Sequence, residues 1–235
     1  MPVWSLPEEI IFPHPLSASG EGILAIGGDL SLERLILAYA YGIFPWYGED
    51  EPIIWWFPDP RCAMKPEDVY ISKTMRALLR KAPYKVTFDT CFADVIRLCK
   101  DVPRKRQPGT WIQPEIVDAY VDLHEAGYAH SVEIWKGGTL VGGLYGVAYG
   151  RVFFGESMFS LESNASKYAL IILARNLEQR EFDLIDCQQN TSHLRSMGAT
   201  PMPAKDFHTL LQRNRLRSPS PGKWQYDPSL VHLPS

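Results

Sequence analysis

Asp186, Cys187 and Gln188 stand in a row at the end of an apolar run. In a strand, Asp186 and Gln188 would project to one face, because side chains alternate across the pleat. Upstream, Gly155-Glu156-Ser157-Met158-Phe159-Ser160 closes another strand-like run, and Asn164-Ala165-Ser166-Lys167 opens an amphipathic helix between the two. Pairing of those strands would bring Glu156, Asp186 and Gln188 into one pocket among apolar side chains. Carboxylates beside an amide can orient a nucleophile and move a proton. A buried polar network closing a sheet edge is the competing use of the same groups.

The elements that must position them belong to a chain of 235 residues, 46% hydrophobic and 22% charged, enough for one large core or a large and a small one. No stretch approaches a membrane span, and the N-terminus lacks the basic and apolar regions of a signal peptide. Cys62, Cys91, Cys99 and Cys187 are irregularly spaced, with no C-x-x-C pair to suggest a zinc site or a redox motif. A cytoplasmic protein without metal is expected.

Net charge is −3, yet between Lys73 and Arg106 ten basic residues face three acids. Lys73, Arg76 and Arg80 recur at helical spacing opposite Met75, Leu78 and Leu79, with Lys81 beside them, which places cations on one exposed helix face. A phosphate backbone suits such a face; a solvated helix surface is the alternative.

Residues 1–60, rich in Pro, Gly and Trp, read as a small N-terminal domain with one helix, from about Leu32 to Tyr41, capped by Ser31 and stopped by Gly42. Ile43-Phe44-Pro45-Trp46 and Trp55-Trp56-Phe57-Pro58-Asp59-Pro60 look too proline-broken for regular central strands. From residue 61 the pattern is helix near Lys73–Ala82, strand near Lys85–Asp89, helix near Phe92–Lys100 and helix from Pro114 to Gly127. Strands follow at His130–Trp135, Leu140–Tyr149 and Val152–Phe159, the first two joined by a Gly137-Gly138 hairpin turn. A Lys167–Gln179 helix, a Leu184-Ile185 strand and helices from about Ser192 and Asp206 complete the order. Beyond Arg217 a Pro/Ser-rich, irregular tail offers little for a core. The expected fold class is α+β, a small N-terminal α/β domain and a larger mixed-sheet domain, residues 61–235, whose element order resembles the acetyltransferase (GNAT) fold.

Several familiar motifs fail here. Gly20-Glu21-Gly22-Ile23-Leu24-Ala25 fits a dinucleotide pattern, but Pro13 and Pro15 stand where its strand should be. Ser157 lacks the flanking glycines of a nucleophile elbow. Where acetyl-CoA enzymes of the GNAT fold carry a glycine-rich pyrophosphate loop, this chain reads Ser160-Leu161-Glu162-Ser163-Asn164-Ala165, so a different acyl donor is expected.

Gly27-Gly28-Asp29-Leu30, Gly42-Ile43-Phe44-Pro45-Trp46, Trp55-Trp56 and Pro58-Asp59-Pro60-Arg61 resemble the N-terminal half of the bacterial leucyl/phenylalanyl-tRNA-protein transferases. Gly109-Thr110-Trp111-Ile112, His130-Ser131-Val132-Glu133, Gly155 to Ser160, Asn164 to Lys167 and Asp186-Cys187-Gln188 resemble the other half, in order. The resemblance implies transfer of Leu or Phe, and less readily Met, from aminoacyl-tRNA to proteins with N-terminal Arg or Lys, which are thereby marked for N-end-rule proteolysis. It implies no metal and no cofactor, because the ester is already activated and the enzyme must mainly align reactants and manage a proton.

By the same resemblance Asp186, Gln188 and Glu156 are the catalytic group: Gln188 binds the attacking amine, Asp186 polarises that amide and Glu156 suits a cationic acceptor. Leu144, Phe153, Met158 and Ile185 line the amino-acid side-chain pocket. Trp46 and Trp111 hold the 3′-terminal adenosine by stacking, and Trp111 follows a basic Arg104-Lys105-Arg106 segment. Lys73, Arg76, Arg80 and Lys81 meet the acceptor stem. Two other readings stay open: a cysteine hydrolase using Cys187 with His193, and a non-catalytic RNA-binding module.

Overall fold

The computed structural model describes residues 3–102, 111–217 and 219–228; Arg104-Lys105-Arg106 and Gly109-Thr110 lie outside the described residues. The N-terminal part holds β1 (Trp4–Leu6), β2 (Ile23–Gly27), α1 (Leu32–Ala40), β3 (Phe44–Pro45) and β4 (Ile54–Trp56). Its four strands form one sheet in the order β1-β2-β4-β3.

The expectation that prolines exclude a central strand here is overturned for β4, which lies between β2 and β3. It ends before Pro58, and Pro45 sits on the edge strand β3, where a missing N–H removes no inner ladder bond. Before α1, Ser31 occupies the cap position without a side-chain cap bond. Asp29 Oδ1 instead accepts the Ser31 N–H at 2.9 Å, and its Oδ2 meets Arg34 Nη2 at 3.2 Å. Gly42, at φ +73°, lets the chain turn away from α1; a Cβ there would lie 2.4 Å from Leu211 Cδ1.

The rest of the chain runs β5 (Arg61–Met64), α2 (Lys73–Lys81), β6 (Lys85–Phe88), α3 (Phe92–Asp101), α4 (Pro114–Glu125), β7 (Ala129–Lys136), β8 (Thr139–Tyr149) and β9 (Val152–Ser160). It continues with α5 (Ala165–Gln179), β10 (Leu184–Gln188), α6 (Ser192–Ser196), β11 (Thr200–Met202) and α7 (Ala204–Asn214). Seven of these strands build a mixed sheet in the order β11-β5-β10-β9-β8-β7-β6. β10 runs parallel to β9, and the other pairs are antiparallel. The antiparallel β7-β8-β9 unit, the crossover through α5 and the parallel β10 form the expected α+β mixed-sheet arrangement. Gly137 and Gly138, at φ +55° and +83°, make the two-residue turn between β7 and β8.

Sequence reasoning passes over β5 and β11. Arg61-Cys62-Ala63-Met64 is buried at every position and so shows no alternation, and β11 carries Pro201 on a sheet edge. Alternation on β8 and β9 divides the core in two. Tyr145 and Phe154 join a cluster with α3, α4 and the N-terminal sheet, whereas Leu144 and Phe153 join one with α5 and β10.

The tail contradicts its expected emptiness. Trp224 is 4% exposed and packs in the α5-side cluster, its ring stacked 3.8 Å from that of His130. Its backbone N–H donates to Asp89 Oδ2 at 2.7 Å, and Arg180 lies 4.8 Å over its ring. Polar composition outweighs one buried indole in any sequence average, although the indole alone covers a large apolar area. Trp224→Ala is expected to lower stability by about 3 kcal/mol in urea unfolding, the range for a large buried aromatic.

Candidate active site

Two irregularities in the large sheet build the site. On β9, Gly155 pairs with Gly146 and Ser157 with Tyr145, which leaves Glu156 as the extra residue of a bulge. On β10, Asp186 pairs with Ala63 and Gln188 with Cys62, so Cys187 is extra, and Gln188 sits at φ +58°. The parallel β9–β10 register runs from Leu184 opposite Val152 to Asp186 opposite Phe154.

The bulge breaks the alternation on which a shared face for Asp186 and Gln188 depends. Asp186, fully buried, turns to Arg61: Arg61 Nε donates to Oδ1 at 2.8 Å and Nη2 to Oδ2 at 2.5 Å. The Gln188 backbone N–H also donates to Oδ1, at 2.9 Å. Asp186 therefore holds the Gln188 main chain, and the expected contact with the side-chain amide is absent. That amide belongs to Glu156 instead, with Gln188 Nε2 donating to Oε1 at 2.8 Å. The amide oxygen is left to accept a bond from an incoming donor.

Glu156 lies deep but partly open to the cavity. Tyr39 on α1 lies within hydrogen-bond reach of its Oε1 at 2.8 Å and Tyr120 on α4 of its Oε2 at 3.3 Å, and the two phenols also meet each other, so two phenolic protons are shared among three contacts. Burial, reinforced by the charge of Asp186, pushes the Glu156 carboxyl up to about 7 against the bonds from Tyr39, Tyr120 and Gln188. Burial and the charge of Glu156 hold both phenols well above their ordinary range, so they remain donors.

Around these groups lies a cavity of about 490 Å³. Leu144, Phe153, Met158 and Ile185 line its apolar part, joined by Leu170 and Leu173 from α5. Trp46, Trp111 and Phe44 line it too, as do Glu156, Asp186 and Gln188. Trp46 meets Trp56 edge to face at 5.3 Å, and its carbonyl accepts the Trp56 indole N–H at 2.6 Å, so its ring has a defined orientation. Lys73, Arg76, Arg80 and Lys81 stand on the exposed face of α2, outside the cavity lining, while Met75 and Leu79 are buried on the other side.

Cys187 and His193 both reach this cavity. The Cys187 thiol meets the Ile185 carbonyl at 4.0 Å, and among the described residues no hydrogen bond joins it to His193. Burial, with the charge of Asp186, pushes this thiol well above its ordinary value, opposite to what a thiolate nucleophile requires. His193 is lowered by burial and by Lys167.

Sequence reasoning places Arg61 in the Pro58-Asp59-Pro60-Arg61 motif without a role, and does not single out Tyr39 or Tyr120. The burial of Arg61 leaves a further trace, a charge opening the apolar stretch Cys62-Ala63-Met64. The tyrosines leave none, since each falls on the apolar face of its own helix.

A cavity that sets a fixed amide and carboxylate beside an apolar slot suits an acyl-transferring enzyme, and comparison with known proteins agrees: this chain is an aminoacyltransferase. Residues 63–212 match the family model described as leucyl/phenylalanyl-tRNA protein transferase, and residues 28–59 match the model of that family's N-terminal domain. The chain is 56% identical over 214 residues to the leucyl/phenylalanyl-tRNA–protein transferase of Syntrophobacter fumaroxidans, covering 91% of this chain and 92% of the relative. It is 53% identical over 212 residues to that of Syntrophotalea carbinolica, covering 90% and 92%. The chain belongs to the leucyl/phenylalanyl-tRNA protein transferase family.

Either Arg61→Ala or Asp186→Ala strands a buried charge and is expected to lose about 3–5 kcal/mol in urea unfolding, with the double variant losing less than the sum.

Proposed function

We propose that the chain transfers Leu or Phe, and less readily Met, from aminoacyl-tRNA to the N-terminal Arg or Lys of acceptor proteins, marking them for N-end-rule degradation. The observation that carries this reading is the Gln188 amide, locked by Glu156 at the edge of an apolar slot. The donor's side chain enters between Leu144, Phe153, Met158 and Ile185. Such a slot accepts unbranched or γ-branched apolar chains and offers no partner to a polar one. The 3′-terminal adenosine stacks on Trp46 and Trp111.

The acceptor's α-amine bonds to the Gln188 amide oxygen and attacks the ester carbonyl, with the ribose oxygen as leaving group. Asp186 holds the Gln188 backbone through its buried pair with Arg61. Lys73, Arg76, Arg80 and Lys81 attract the acceptor stem by charge and leave the chemistry to the cavity.

Radiolabelled Leu-tRNA and a protein beginning with Arg test this. Label enters the protein with the wild type and with Cys187→Ala, and falls about a hundredfold or more with Gln188→Ala. Absence of transfer from Leu-, Phe- and Met-tRNA alike would sink the proposal.

A further inference from the structure

The site holds two carboxylates in opposite circumstances. Asp186 is fully buried, with both oxygens committed to Arg61 and one also to the Gln188 backbone. A proton placed there would break a bidentate ion pair and leave Arg61 buried without its counter-charge. Glu156 has no cation: among the described residues its partners are two phenols and one amide, all neutral donors. Its Oε1 carries the bonds from Tyr39 and Gln188, whereas Oε2 carries only the longer one from Tyr120. Oε2 therefore keeps a lone pair, on a side chain that lines the cavity.

We propose that Glu156, rather than Asp186, takes the proton from the acceptor's α-ammonium, and that Tyr39 and Tyr120 are positioning residues that hold its carboxylate ready to do so. This rests on the transferase reading above. The ammonium docks with one N–H on the Gln188 amide oxygen and another on Glu156 Oε2. One proton passes to Oε2, giving a neutral amine and a neutral carboxylic acid. The amine lone pair forms the bond to the ester carbonyl carbon, the bond from that carbon to the ribose oxygen breaks, and nitrogen's next proton leaves with the ribose hydroxyl. Glu156 returns its proton to solvent, so each cycle releases one.

The groups facing Glu156 are the Tyr39 phenol from α1, the Tyr120 phenol from α4, and Gln188 and Asp186 from β10, with Arg61 of β5 behind Asp186. Tyr47, bonded to Glu115 on α4 at 3.2 Å, is the next ionisable pair, acting on Tyr120. The carboxyl, raised to about 7, is poised near the ordinary range of an α-amine, where transfer between them is close to balanced. Phenol bonds favour its charged form, so removing one raises the value further and moves the required anion to higher pH.

The test is transfer from Leu-tRNA to an Arg-initiated peptide varied up to saturation, from pH 5.5 to 9, for wild type, Glu156→Gln, Tyr39→Phe and Tyr120→Phe. The acceptor's own amine titrates identically in all four. For the wild type we expect a rise with a midpoint near 7. In Tyr39→Phe and Tyr120→Phe the midpoint moves up by about one pH unit while the rate at high pH is kept. Glu156→Gln, nearly isosteric, loses about a hundredfold or more in kcat with little change in KM for the peptide. A tyrosine variant with an unmoved midpoint and a lowered plateau, or a Glu156→Gln whose loss lies in KM alone, overturns the assignment while leaving the transferase reading intact. A wild type that transfers nothing overturns both.

Discussion

Everything near the cavity depends on one buried ion pair. Arg61 and Asp186 are both fully shielded from water, and Arg61 also lies 4.8 Å from the ring of Phe44 and 4.7 Å from that of Phe207. Two buried charges are tolerable only with bidentate geometry and further polar contacts, and aromatic faces supply some of what water would have given the guanidinium. Those requirements recruit β5, β10, the N-terminal sheet and α7 into one arrangement. The pair adds little net stability compared with an apolar replacement, but it permits few alternative packings. By fixing Asp186 it also fixes the Gln188 N–H, and with it the left-handed turn from which the Gln188 side chain leaves the strand.

Bulges do the rest. Unbroken ladders from β9 to β8 and from β10 to β5 would hold their side chains to strict alternation; an extra residue in each strand, Glu156 against β8 and Cys187 against β5, re-aims a side chain and interrupts the pairing. Glu156 is then reached from two helices on different parts of the molecule, Tyr39 of α1 and Tyr120 of α4. Their phenols meet over the carboxylate, so the N-terminal sheet and the large domain jointly define its position.

The long periodic elements were legible in the sequence. β7, β8, β9, α4 and α5 follow from apolar spacing and turn residues, and the class of fold follows from their order. Part of the cavity lining, Leu144, Phe153, Met158, Ile185, Glu156, Gln188 and the two tryptophans, is also legible, through short motifs more than through pattern, whereas Leu170 and Leu173 of α5 are not. What stayed hidden was geometry set by contacts distant in sequence. Nothing local announces that β5 lies beside β10, that Asp186 answers to Arg61 across 125 positions, or that Gln188 departs from strand conformation. Alternation is a rule about unbroken strands, and the reactive end of this strand is where it breaks. Three of the N-terminal strands, β1, β3 and β4, escaped for a different reason: at two or three residues each, they are too short to show a period.

The docking of Trp224 has an outcome in time. Its indole covers the ring of His130 and its N–H satisfies Asp89, groups placed some ninety positions or more earlier in the chain. During synthesis from the N-terminus, β6 and β7 therefore emerge with this surface bare and the Asp89 carboxylate short of one donor. Helices and hairpins can form as they appear, but this part of the core is sealed only once Trp224, which follows α7, has emerged. Folding of this domain thus has a built-in late step, and nascent chains stalled shortly before Trp224 would present an open apolar face to whatever surveys unfinished proteins.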